Sequence, residues 1–217
     1  MNVMQEVWIR PRKVFRELST RPIGIADYLL SAAQGVVGLL ALSRMNNLGV
    51  SAEVGSIFLK AIVQGSVSGI AIIWIQAWIY TWLGRRAGGV ATRSQVIHVL
   101  AYGSVPLVGS LAIWCVATLL LGNNAFVETP GGQTDNFVAL LMTLQILAHV
   151  LLACWSAILQ VMGLSEVHKL QTRGATGTWL LGQLVAALAL LILMLLLVGL
   201  GIVPLPQSPG GSPAFGP

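Results

Sequence analysis

Five runs of twenty or more mostly apolar residues, separated by short segments that hold most of the charge, leave this chain few folds to choose from. They run approximately Ile23 to Leu42, Gly55 to Leu83, Val96 to Leu121, Phe137 to Leu164 and Thr178 to Val203. A helix needs about 20 such residues to cross roughly 30 Å of hydrocarbon. The second and fourth runs exceed that length, so they tilt or protrude. Charged residues make up 9% of the chain, against about 25% in a soluble domain, and the mean hydropathy is +0.82. The chain therefore reads as an integral membrane protein, all-α, with a five-helix transmembrane bundle over residues 23–203.

The ends differ from the bundle. Met1 to Thr20 has no apolar core of the kind a signal peptide carries, only isolated apolar positions among charges. Trp8, Pro11, Phe15 and Leu18 recur at helical spacing, while Arg12, Lys13 and Arg16 fall largely on another face. That pattern predicts an amphipathic interfacial helix within residues 1–22, with Pro11 as a first helical residue, where its missing N–H costs nothing. At the other end, residues 204–217 concentrate Pro204, Pro206, Pro209, Pro213 and Pro217 among glycines and serines, a composition that predicts a disordered tail. The loop NNAFVETPGGQTDN carries turn residues at Pro130, Gly131 and Gly132.

Basic residues fix an orientation, because short loops rich in Lys and Arg stay cytoplasmic. Ten of the twelve fall on one side: Arg10, Arg12, Lys13, Arg16 and Arg21 before the first run, Arg85, Arg86 and Arg93 between the second and third, Lys169 and Arg173 between the fourth and fifth. The expected topology has a cytoplasmic N-terminus and a C-terminus outside. The net charge of +5 then reflects membrane orientation, and no nucleic-acid partner is expected.

Chemistry-bearing motifs are few. Cys115 and Cys154 lie inside the runs without clustered Cys or His, and are expected to be buried apolar thiols rather than ligands. No phosphate-cradling, HExxH or GxSxG motif occurs, so the sequence predicts no catalytic residue, no metal and no cofactor. The bundle does carry packing signals. Gly65 and Gly69 in GSVSG form a small-xxx-small face for a neighbouring helix, either within the monomer or in self-association. Trp74, Trp78 and Trp82 recur every fourth residue, forming a stripe that runs toward Arg85 and Arg86, with Trp82 an interfacial anchor. His149, one turn after Gln145, is a candidate intramembrane polar site that should face the interior and find a polar partner, with Gln64, Gln76 and Gln183 available. Asp27 and Lys60 lie near run ends, where they are expected to reach water or headgroups.

The third run holds AYGSVP. Pro106 has no N–H to give the Tyr102 carbonyl, and Gly103 loosens the turn between them, so the helix must bend or break there. A carbonyl freed at that depth needs a donor, which Ser104, Tyr102 or a water can provide.

Three segments in order resemble the Yip1 family of multi-pass membrane proteins. WIRPRKVFREL is similar to that family's entry into its first span. AYGSVP resembles its Tyr-centred, Pro-terminated motif in span three, and MGLSEVHKLQTRGA is similar to its Gly-Leu-x-x-x-His segment between the last two spans. RPIGIADYLL departs from the Asp-Leu-Tyr-Gly-Pro motif of eukaryotic members, so the resemblance points to the bacterial-type branch and the cytoplasmic membrane. Because the second and third segments fall toward the same membrane side, Tyr102, Gly103, Ser104, Pro106, Glu166 and His168 form a candidate cytoplasmic-face motif, the alternative being that Pro106 merely kinks a packing helix. The expected role is a non-enzymatic membrane organiser, with the lipid bilayer and a membrane-protein partner or a second copy as its contacts. The alternative is a small transporter or channel subunit using the polar site around His149.

Overall fold

The computed structural model describes residues 3–128 and 136–199, and every regular element among them is helical. Two short helices, α1 (Val3–Ile9) and α2 (Pro11–Leu18), open the chain; Pro11 is the first residue of α2, and Arg10 breaks the path between them. Then come α3 (Ile25–Met45), α4 (Val54–Lys60), α5 (Ser66–Arg86), α6 (Arg93–Gly103), α7 (Val105–Leu121), α8 (Asn136–His168) and α9 (Thr172–Gly199). A π-helical turn, Ala61–Gly65, joins α4 to α5, and short 3-10 helices cover Leu48–Val50 and Gly122–Phe126.

Four stretches are long and apolar enough to cross a membrane: Ile25–Met45, Val54–Arg86, Arg93–Phe126 and Asn136–His168. They follow the first four expected spans closely. The fifth expected span falls on α9 and ends at residues 200–203, outside the described residues, as does the whole 204–217 tail and the turn at Pro130, Gly131 and Gly132. The chain forms two compact units, Met1–Gly182 and Gln183–Pro217; in the second, the described residues Gln183–Gly199 are helical, and Leu184, Leu188 and Leu195 are exposed.

Within the first unit the apolar side chains gather into two clusters. One joins α1 and α2 to α3, α5, α6 and α8 through Phe15, Leu18, Leu30, Ile97, Tyr102 and Leu164. The other lies at the opposite end of α3 and is built on Trp114, Leu40, Ile57 and Phe126. There Trp114 stacks on Phe126 with centroids 5.3 Å apart and planes 6° from parallel, while Phe58 meets Phe126 edge-on.

Span one crosses span two where neither has a side chain in the way. A Cβ on Gly35 would collide with the backbone at Gly65 and Gly69; one on Gly65 would meet Val36, and one on Gly69 the Ser31 carbonyl. Gly65 and Gly69 are thus spent on a contact within the chain, the close approach that small residues permit.

Three expectations need correcting. Cys115 and Cys154 are exposed, not buried, because they sit on outward faces of helices whose surroundings are hydrocarbon, where an apolar thiol needs no protein cover. Asp27 does not reach water: it is 3% exposed, since another helix brings it a partner. And the apolar face of the N-terminal segment meets protein: Val14, Phe15 and Leu18 are buried, with the Phe15 ring against Gly163, whereas Trp8 is 40% exposed and off that face. Trp74, Trp78 and Trp82 do form an outward stripe, at 38%, 56% and 43% exposure.

Candidate functional site

The end of the bundle that carries the N-terminal helices is assembled by pairs of ionisable side chains. Gly24 adopts extended backbone before α3, and Asp27 at the third helical position accepts its N–H at 2.9 Å, closing the helix start. The other oxygen of that carboxyl lies 2.7 Å from Nδ1 of His98, on the second turn of α6. His98 Nε2 donates to the Arg21 carbonyl at 3.1 Å. Since Nε2 is occupied as a donor, one proton is held between Nδ1 and the carboxyl, and the pair is neutral overall whichever atom carries it. That neutrality is what allows two side chains only 3% and 4% exposed to sit in an apolar cluster.

A second pair fastens α2. Arg16 Nε donates to Glu166 Oε1 at 2.7 Å, linking α2 to the last turn of α8. The Glu166 carboxylate, by hydrogen bond and charge, holds the exposed Arg16 guanidinium above its ordinary range. Lys13 bridges Glu6 and Glu17 at 3.8 and 3.6 Å, tying α1 to α2 at the surface.

His168 closes α8. Its ring lies over Gly84 and Gly89, where any Cβ would collide with it, and Nδ1 accepts the Ala91 N–H at 3.4 Å. The Val90 N–H donates to the His168 carbonyl. Nε2 is buried and has no hydrogen-bond partner among the described residues. His168 is therefore the post around which residues 84–91 turn from span two to span three.

The break in span three is one residue wide. α6 ends at Gly103, Ser104 is the turn, and α7 begins at Val105 with Pro106 next. Ser104 Oγ donates to the Ala101 carbonyl at 2.7 Å, and Ser156 of α8 donates to the Gly103 carbonyl at 2.8 Å. Gln160 packs on Gly103, and its Oε1 accepts from Trp179 Nε1 at 2.9 Å.

The register of α6 on α8 separates the residues that the sequence grouped. Gly103 is level with Gln160 and Val99 with Gly163, so the antiparallel partner of Glu166 and His168 is the start of α6, not AYGSVP. Tyr102, Gly103, Ser104 and Pro106, all buried, serve the break; Glu166 and His168 serve the cap and the 84–91 turn.

Gln145 and His149 lie toward the opposite end. Gln145 Oε1 accepts from Arg44 Nη1 at 2.9 Å, and His149 Nδ1 donates to the Gln145 carbonyl at 2.7 Å in its own helix. The interhelical bond therefore belongs to Gln145 rather than to His149, whose ring meets Trp114 edge-on at 5.2 Å. With Arg44 and Glu128 they line a cavity of about 300 Å³. Among the described residues no group of three or more His, Cys, Asp or Glu side chains is arranged to hold a metal.

The Yip1 domain family matches residues 6–203, from α1 to beyond the described end of α9. The chain belongs to the Yip1 family. No curated protein and no solved structure matches it. Membership confirms the resemblance drawn from the three segments, and the structure assigns work to each in this Yip1 protein. The first supplies Phe15 and Arg16, the second the break, and the third Gly163, Glu166 and His168. Sequence reasoning missed Asp27, His98, Arg44, Ser156 and Gln160. The signal available for the first two was an ionisable residue just inside each of two runs, at what the charge bias made the same membrane face.

Proposed function

We propose that this Yip1 protein is a non-enzymatic organiser of the bilayer, needing no cofactor, which assembles with another membrane protein or with itself through its cytoplasmic end. In this reading five spans place the N-terminus and the loops at 87–92 and 169–171 in the cytoplasm and the C-terminus outside, in a bacterial cytoplasmic membrane, as the bias of basic residues supports. The observation that carries it is where the ionisable groups are spent. Asp27, His98, Arg16 and Glu166 bind one another, and His168 binds backbone, so this end is built as a fixed surface rather than as a reacting centre. Around it Arg10 and Arg12 are exposed, as is Lys13 in its bridge to Glu6 and Glu17.

The test is crosslinking in native membranes followed by isolation of the full chain, comparing the parent with Phe15→Ala, which loosens α2. The proposal expects a discrete protein adduct from the parent that is depleted in the variant while insertion is unchanged. Adducts identical in the two proteins, or none in the parent, would overturn it.

A further inference from the structure

At the end of span two the chain collects three arginines around one cleft. Arg85 and Arg86 close α5 and Arg93 opens α6; with Trp78, Thr81 and Trp82 they line a space of about 330 Å³. None of the ion pairs found among the described residues involves any of the three; Glu6, Glu17, Glu166 and Asp27 are paired with Lys13, Arg16 and His98 instead. Three like charges converging at a membrane boundary repel one another more strongly than they would in water, and a bound anion relieves that cost.

The arginines are also arranged to meet one. Arg85 Nε donates to the Ala91 carbonyl at 3.4 Å, which aims the guanidinium and leaves its two terminal nitrogens free. The Arg86 guanidinium carbon sits over the Trp82 ring, 4.3 Å from its centroid, a cation–π contact that holds the side chain beside the cleft. A guanidinium edge matches two oxygens of a phosphate at once. Trp78 and Trp82, one turn apart and outward-facing, wall the cleft on the side toward the hydrocarbon, where a glycerol backbone and the tops of acyl chains would lie. A basic pocket between spanning helices with an aromatic floor matches the chemistry of an anionic headgroup.

The geometry points to a binding site for the phosphate of an anionic glycerophospholipid in the cleft between the end of α5 and the start of α6. It depends on membrane insertion and not on the organiser role, so either can fail without the other.

The experiment uses the full chain in neutral detergent, offered dioleoyl-phosphatidylglycerol or dioleoyl-phosphatidylcholine, with retained lipid counted by native mass spectrometry. Phosphatidylglycerol should be retained in preference, and R85Q/R93Q should weaken its retention by roughly 30-fold, two surface cations' worth. Arg10→Gln with Arg12→Gln, which removes equal charge from the N-terminal cap, should leave retention unchanged. Arg93→Gln alone, at an exposed position, serves if R85Q/R93Q melts early, and should lower retention by about fivefold. Equal retention of the two lipids, or loss from the cap variant matching that from the cleft variant, would overturn the site. Inorganic phosphate at millimolar concentration displacing the lipid completely would assign the cleft to a soluble anion and overturn the lipid reading.

Discussion

At the scale of single residues, the Asp27–His98 pair shows how a charge can be affordable inside an apolar cluster. Each partner is buried only because the other is present, so removing one leaves a polar group without compensation. Asp27→Ala or His98→Ala should each destabilise the protein by about 3–5 kcal/mol, read as a loss of thermal stability in detergent. Replacing both with leucine should recover much of that loss; a single variant as stable as the parent would contradict the pairing. Ser156→Ala should cost about 1–3 kcal/mol, because the Gly103 carbonyl at the break would lose its donor in a place water does not reach. None of these partnerships was legible in the sequence. Asp27 and His98 are separated by 71 positions, and a carboxylate close to a span end ordinarily reaches water. Only the rotation and register of one helix on another bring the two together.

At the scale of elements, the sequence was more informative where one residue's covalent structure decides the outcome. Proline has no N–H, so the break beside Pro106 was legible to within a residue, as was the start of α2 at Pro11. The π-helical turn at Ala61–Gly65 was not, since no residue there forbids an ordinary helix. The glycine pair was legible as a contact face but not as to its occupant, which proved to be Ser31, Gly35 and Val36 of span one. This makes a comparison within one residue type. Gly65→Leu and Gly69→Leu should each destabilise by about 1–3 kcal/mol or more, because the added side chain meets backbone that cannot yield. Gly38→Ala and Gly109→Ala, where a Cβ would meet nothing within 4 Å, should leave stability equal or slightly raised. If all four behave alike in thermal unfolding, the close crossing is wrong.

Across the whole molecule, the apolar runs were legible because the bilayer admits few solutions, and the first four correspond, at nearly the expected bounds, to helical stretches long and apolar enough to span it. What hydropathy could not show is that the amphipathic N-terminal segment spends its apolar face on the bundle, since a face that suits lipid also suits a glycine-lined groove such as Gly163 offers to Phe15. The account therefore turns on an N-terminal cap that is docked rather than afloat, on the face proposed to be cytoplasmic. Single-cysteine variants, in a background with Cys115→Ala and Cys154→Ala, test both halves of that statement through labelling by a membrane-impermeant maleimide in sealed vesicles of each orientation. Arg12→Cys should label only when the cytoplasmic face is outward, and Phe15→Cys, at a position 1% exposed, should resist labelling in either orientation. Labelling of Arg12→Cys from the opposite face would contradict the orientation, and labelling of Phe15→Cys as fast as Arg12→Cys would show the cap undocked.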